Sequence, residues 1–191
     1  MSNIRGSLHR RRLMVDQEQG FTLIELLVVL LIIGILLAIA IPTFLSTTKN
    51  ANDTSAQANL QTALTGSDAY FTQAHQTYSG IDITPNPTAS NIAEVDTNLT
   101  YVMGSNSTGL GTVSLWTDNS TSLELATYAP GTRNCWYVID LKAPSTTVWG
   151  MSLNAGTYYA VNHGVDGSAC IADGTAPSGA TTPQTGGFSH S

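Results

Sequence analysis

Charge is scarce in this sequence: only 10% of its 191 residues are Asp, Glu, Lys or Arg. Cations are scarcer still. Of seven Lys and Arg residues, four (Arg5, Arg10, Arg11, Arg12) precede Gly20, which leaves Lys49, Arg133 and Lys142 to oppose eleven carboxylates in the rest of the chain. A body that acidic lacks the basic surface nucleic acid requires, which argues against direct nucleic-acid binding. His9, His75, His163 and His190 stand far apart with no ligand-like spacing, so no metal site is expected. Asp140, Asp166 and Asp173 lie among many serines, but no nucleophile elbow or Gly-rich phosphate loop supports a catalytic arrangement. Acids in turns such as Asp166-Gly167-Ser168 and Asp173-Gly174 are read as turns before they are read as calcium ligands. Trp136, Trp149, Tyr158 and Tyr159 read as sheet packing, and Asn98, Asn106 and Asn119 head Asn-X-Thr triplets that chance supplies in a Ser/Thr-rich chain. No internal repeat is visible. The chain reads as a non-enzyme without a cofactor.

What it does have is one long apolar run. From Phe21 to Ile41 the only charge is Glu25, and at about 1.5 Å rise per residue the run makes a helix of roughly 31 Å, long enough to cross a bilayer core of about 30 Å. A carboxylate placed inside such a helix costs about 2.5–3.5 kcal/mol or more at mid-membrane depth, so Glu25 is expected to have a partner. The arginine cluster ahead of the run predicts a cytoplasmic N-terminus and an external body beyond residue 42. Two cysteines in that external body, Cys135 and Cys170, favour a disulfide worth roughly 3–4 kcal/mol over two free buried thiols.

The helical pattern continues past Pro42. Ala56, Leu60, Ala63, Leu64, Tyr70, Phe71 and Ala74 recur at intervals of three, four and seven among polar neighbours, an amphipathic stripe that needs a cover. One helix from Phe21 to about His75 is the simplest geometry, with Gly34 and Pro42 as its weak points. Residues 80–98 read as an irregular connection with a turn of helix near 91–95. Strand patterns follow at 99–103, around Val113 and Leu115, and around Leu123 and Leu125. At 134–142, Cys135, Tyr137, Ile139 and Leu141 share one face, and Trp136, Val138, Asp140 and Lys142 the other. Segments 147–153 and 157–161 read as strands joined by the loop Asn154-Ala155-Gly156. The fold class is therefore α+β: a long N-terminal helix packed on a small antiparallel sheet. The expected domains are a leader at 1–20, a transmembrane helix at 21–41, an external helix-plus-sheet domain at 42–173, and a disordered low-complexity tail at 174–191.

Three readings compete for the N-terminal region. A cleaved signal peptide would use Ala38-Ile39-Ala40, but its apolar region would be about 7–15 residues long. A plain anchor explains neither Glu25 nor the continuing helix. The third is a resemblance. Gly20-Phe21-Thr22-Leu23-Ile24-Glu25-Leu26, behind a basic leader and ahead of an apolar run holding Gly34 and Pro42, is similar to the class III signal of type IV pilins and pseudopilins. It covers residues 1 to about 75. The resemblance implies cleavage between Gly20 and Phe21 by a membrane-embedded prepilin peptidase that also N-methylates Phe21. It implies pairing of Glu25 with the terminal amine of a neighbouring subunit, and helices that lose regularity around Gly34 and Pro42 in the filament. It further implies a helical homopolymer at the cell surface, built from membrane-held subunits by an assembly ATPase and an inner-membrane platform. Within the family a pseudopilin of secretion or competence, or a minor pilin, stays open; outside it, a tethered surface domain that never polymerises.

Overall fold

The computed structural model describes residues 20–81, Ile92 and 98–188. The leader through residue 19 with its arginines and His9, the helical turn expected near 91–95 apart from Ile92, and His190 lie outside the described residues. The chain divides into two compact units, Met1–Pro42 and Thr43–Ser191.

A single helix, α1, is assigned over Leu23–Gln73, with Pro42 inside it. Its second half buries Ala56, Leu60, Ala63, Leu64, Gly66, Ser67 and Tyr70, which contains the core of the stripe read from the sequence; Phe71 and Ala74 pack at its edge. The outward threonines do not compete with the helix. The hydroxyls of Thr47, Thr48, Thr54, Thr62, Thr65 and Thr72 each donate to the carbonyl one turn earlier, at 2.9–3.2 Å. The helix stops where His75 (φ 57°) and Gln76 (φ 63°) turn left-handed and the Gln76 amide reaches back to the Phe71 carbonyl at 2.9 Å.

The sheet has five strands in sequence order: β1 (Thr100–Met103), β2 (Thr112–Thr117), β3 (Ser122–Ala129), β4 (Asn134–Leu141) and β5 (Gly156–Asn162). β2 to β5 form the expected antiparallel meander. β1 departs from it by pairing parallel to β2, with Thr100 opposite Thr112. Residues 104–111 carry the chain back along the sheet before β2 begins, and the Thr100 amide donates to the Gly111 carbonyl at 2.8 Å. This return rests on hydroxyl-to-backbone bonds, such as Ser114 Oγ to the Ser105 carbonyl at 2.7 Å, which no hydrophobic period encodes.

Alternation along the strands builds two cores. Leu123, Leu125, Trp136, Val138 and Val161 face α1. Ala126, Tyr128, Cys135, Tyr137, Ile139 and Leu141 face the other way, under Val148, Trp149, Cys170 and Ala172. With both faces covered, every residue of β3 and β4 is buried. The cover on the second face is tied down by the Cys135–Cys170 disulfide, whose Cα atoms are 5.4 Å apart.

Two expectations are corrected. Residues 147–153 are not a strand: only Ser145 and Leu153 pair, and the chain turns at Trp149 (φ 56°) and Gly150 (φ 62°), so Asn154–Gly156 joins no hairpin there. Residues 174–188, expected as a disordered tail, form an ordered strap along β5. The Thr181 amide donates to the Val161 carbonyl at 2.8 Å, and Tyr159 and Gln184 exchange backbone bonds at 2.8 and 3.1 Å. The Phe188 ring then closes on Tyr159 and Trp136, with centroids 4.7 and 5.4 Å apart. Low complexity misleads here because an open strand edge binds backbone and asks little of side chains.

Candidate assembly site

From Gly20 to Ala51 every residue is exposed, although most side chains as far as Leu45 are large and apolar; Phe21 is 92% exposed. The helix is long and apolar enough to cross a membrane, with a mean hydropathy of 3.2 over its most apolar window. Isolated large apolar side chains on a surface need no explanation, but a continuous helix of them calls for lipid or other helices as surroundings.

Between Phe21 and Leu45 the one charge, Glu25, is held by its own turn. Glu25 Oε2 accepts from the Thr22 amide at 2.8 Å and from the Thr22 hydroxyl at 2.7 Å, while the Glu25 amide donates to Thr22 Oγ1 at 3.3 Å. This is a capping box, in which a Thr at the helix start and a Glu three residues on satisfy each other's free backbone donors. Sequence reasoning passed over Thr22, although the Thr-X-X-Glu spacing carried the signal. No cation lies beside the capped carboxylate among the described residues, so the box orients Glu25 without supplying a counter-charge.

Gly20 and Phe21 precede α1 in an exposed lead-in. Gly34 has open space where a Cβ would stand. Pro42 lacks the amide that would bond the Ala38 carbonyl, so one rung of the helical ladder is missing at that turn.

Two polar anchors fix the second half of α1 to the sheet, and neither was apparent from the sequence. Near the start of the buried stripe, the Asp53 carboxylate accepts from Thr132 Oγ1 at 2.7 Å, Trp136 Nε1 at 2.8 Å and Asn134 Nδ2 at 3.2 Å. Near its end, Lys142 Nζ lies 2.6 Å from Asp68 Oδ1 and 2.9 Å from Asp140 Oδ2, with the Phe71 ring 5.6 Å beneath. The buried Tyr78 hydroxyl donates to Asp140 Oδ2 at 2.7 Å, and burial, then Asp140, raises the Tyr78 pKa. Asp140 is thereby a structural carboxylate. Asp166 and Asp173 cap local turns at Ser168 and Thr175, and no group of three metal-ligating side chains comes together among the described residues.

Comparison with known proteins agrees with this geometry. A family profile described as the prokaryotic N-terminal methylation motif matches residues 16–41. The type IV major pilin protein PilA of Myxococcus xanthus is 42% identical over 57 residues, 30% of this chain and 26% of that protein. The type IV wide pilus major component PilA4 of Thermus thermophilus is 50% identical over 52 residues, 27% of this chain and 40% of its own length. The narrow pilus major component PilA5 of the same organism is 52% identical over 42 residues, 22% of this chain and 36% of its own. The chain thus spans well under half the length of each of these relatives. No solved structure matches it. The N-terminal part of this chain, an exposed apolar helix start that matches the methylation motif, is thus similar to the corresponding part of type IV major pilins.

Proposed function

We propose that this chain is a structural subunit of a type IV pilus-like filament. It enters the membrane with its leader inside, is cut between Gly20 and Phe21 by a prepilin peptidase, and is N-methylated at Phe21. The observation that carries the reading is the fully exposed apolar helix from Phe21 onward with its single carboxylate. Lipid covers that surface before assembly and the helices of other subunits cover it afterwards, at about 25 cal/mol per Å² of apolar area removed from water for any part that would otherwise be wet.

Cleavage places a new amine one residue before Thr22. Opposite charges attract strongly in a low-dielectric bundle, so Glu25 and the Phe21 amine of a neighbouring subunit fix the axial register between helices. A subunit out of register leaves a charge buried and unpaired, which is strongly unfavourable. An assembly ATPase and a membrane platform drive extraction from the bilayer, and the filament stands at the cell surface. The missing rung at Pro42 and the flexible Gly34 give the helix places to yield as it moves from lipid into the bundle.

The test is mass spectrometry of the mature N-terminus together with recovery of the protein in sheared filaments. Methylated Phe21 in the sheared fraction is the expected result. A terminus at Ile41 means signal-peptidase cleavage and an intact leader means a permanent tether; either overturns the proposal. Methylated Phe21 that stays with the cell envelope moves the chain to the pseudopilins.

A further inference from the structure

The second sheet face holds a buried carboxylate to which the proposed function assigns no part. Glu124, on β3, is fully buried between its cross-strand neighbours Trp116 on β2 and Ile139 on β4. Its two oxygens are divided between two separate coverings. Oε1 accepts from Trp149 Nε1 at 2.9 Å, in the turn after β4. Oε2 accepts from the Gly174 amide at 2.8 Å, at the start of the strap. The Trp149 amide in turn donates to the Gly174 carbonyl at 2.8 Å, closing a ring of three.

The surroundings are tightly determined. Trp149 holds a left-handed backbone, φ 56°, that few residues of its bulk adopt, and its ring meets Tyr137 edge-on at 5.4 Å. Gly174 is also left-handed (φ 79°), and a Cβ there would lie 2.6 Å from the Trp116 ring. The ionisable groups facing Glu124 are the Tyr137 hydroxyl from β4, which has no hydrogen-bond partner among the described residues, and Asp173, one residue ahead of the strap. Trp116 and Trp149 contribute no charge, and no cation pairs with Glu124 among the described residues.

We propose that Glu124 is a pH-responsive fastening for the C-terminal strap, closed when the carboxyl is neutral and loosened when it is charged, so that residues 174–188 and the Trp149 turn lift from the sheet together in mildly alkaline medium. An ionised carboxylate buried without a cation is costly even with two amide-type donors, and opening the ring is the simplest way to hydrate it. Burial, opposed by hydrogen bonds from the Trp149 side chain and from the Gly174 and Asp173 backbone and assisted by the Asp173 charge, pushes its pKa up to about 7. Because the closed-state value is raised, the fastening is at full strength below the ordinary value of 4.5 and weakens as pH rises through about 7. Opening bares the outer edge of β5, whose Tyr159 and Val161 backbone groups the strap now occupies.

Hydrogen exchange of the full chain in detergent micelles at pH 5.5 and 8.5, corrected for intrinsic rates, tests this directly. The opening constant of residues 176–188, and of 159–161 beneath them, is expected to rise over that interval. The limit is about thirtyfold, set by a carboxyl that titrates near 7 when closed and near 4.5 when opened. Glu124→Gln is expected to abolish the rise and Asp173→Asn to keep it. Strap protection that is unchanged with pH in the wild-type protein overturns the proposal, as does a rise that survives in Glu124→Gln. If Glu124→Gln does not fold, the wild-type exchange map decides: a rise confined to the strap and the Trp149 turn supports the fastening, and an equal rise in residues 56–64 of α1 overturns it.

Discussion

The indole N–H of Trp136 on β4 donates to the carboxylate of Asp53 on α1 at 2.8 Å. That one contact shows how a helix with a narrow apolar stripe is held in a single register on its sheet. The stripe supplies cohesion but slides readily; a carboxylate with three fixed donors does not. Close by, a Cβ at Gly131 would meet the Asn52 side chain at 2.4 Å and the Lys49 backbone at 3.2 Å, so the turn between β3 and β4 presses directly on the helix.

Asp53→Ala removes one acceptor and strands the donors of Thr132, Asn134 and Trp136. The expected loss is about 2–4 kcal/mol, since hydrogen bonds to charged groups contribute more than neutral ones and orphaned donors add a penalty. Asp53→Asn keeps acceptor oxygen and should lose less than half as much. Urea denaturation followed by Trp fluorescence measures both, and equal losses would refute the account.

At the other anchor, Lys142→Met leaves the buried Asp140 with the Tyr78 and Thr157 hydroxyls but no cation. A destabilisation of about 2–4 kcal/mol is expected, near the lower range for breaking a buried pair because the Lys142 side chain is 28% exposed. The pKa of Lys142 is raised; burial opposes the rise, and hydrogen bonds and charge from Asp68 and Asp140 outweigh it. Its contribution is therefore complete below the ordinary lysine value of 10.5 and is lost as pH climbs past the higher folded value. Denaturation of the wild-type protein should show a loss in that alkaline range that Lys142→Met lacks.

Glu25→Ala and Thr22→Ala separate register from capping. Thr22→Ala costs the helix start about 1 kcal/mol but keeps the charge, so processing and most filament yield should persist. Glu25→Ala should be cleaved at Gly20 yet yield at least about tenfold less sheared filament, reflecting a lost buried charge pair of a few kcal/mol. Normal polymerisation of a cleaved Glu25→Ala protein would end the register hypothesis.

Gly174→Ala combines a left-handed backbone with a collision against Trp116. About 1–3 kcal/mol should be lost, by strain and overpacking. The loss should appear in strap residues 176–188 by hydrogen exchange and not in Ala56–Leu64. An undisturbed strap in this variant would mean that the outer face tolerates more than its geometry allows.

The parts of the fold carried by periodicity were legible in the sequence. Ala56, Leu60, Ala63 and Leu64 announced a buried stripe, and the two-residue alternation from Cys135 to Leu141 assigned each side chain to its face. The parts carried by backbone were not. The strap binds through the amides of Thr181 and Gln184, and composition is silent about amides. The turn at Trp149 rests on a left-handed conformation that tryptophan does not advertise. Asp53 and Glu124 looked like scattered acids because their partners lie 25 and 50 positions away for Glu124, and 79 or more for Asp53. Thr22 was the exception, a local signal in plain view beside a more conspicuous carboxylate.

Asp53 and Asp68 lie about 22 Å apart along α1 at 1.5 Å per residue. A pull applied along the helix axis therefore loads both anchors, and the apolar contacts between them, at the same time. Joints stressed in shear yield together at high force, whereas joints peeled from one end yield in turn at low force. The sheet is fastened to the second half of α1 as a lap joint is fastened, suited to tension along the helix axis.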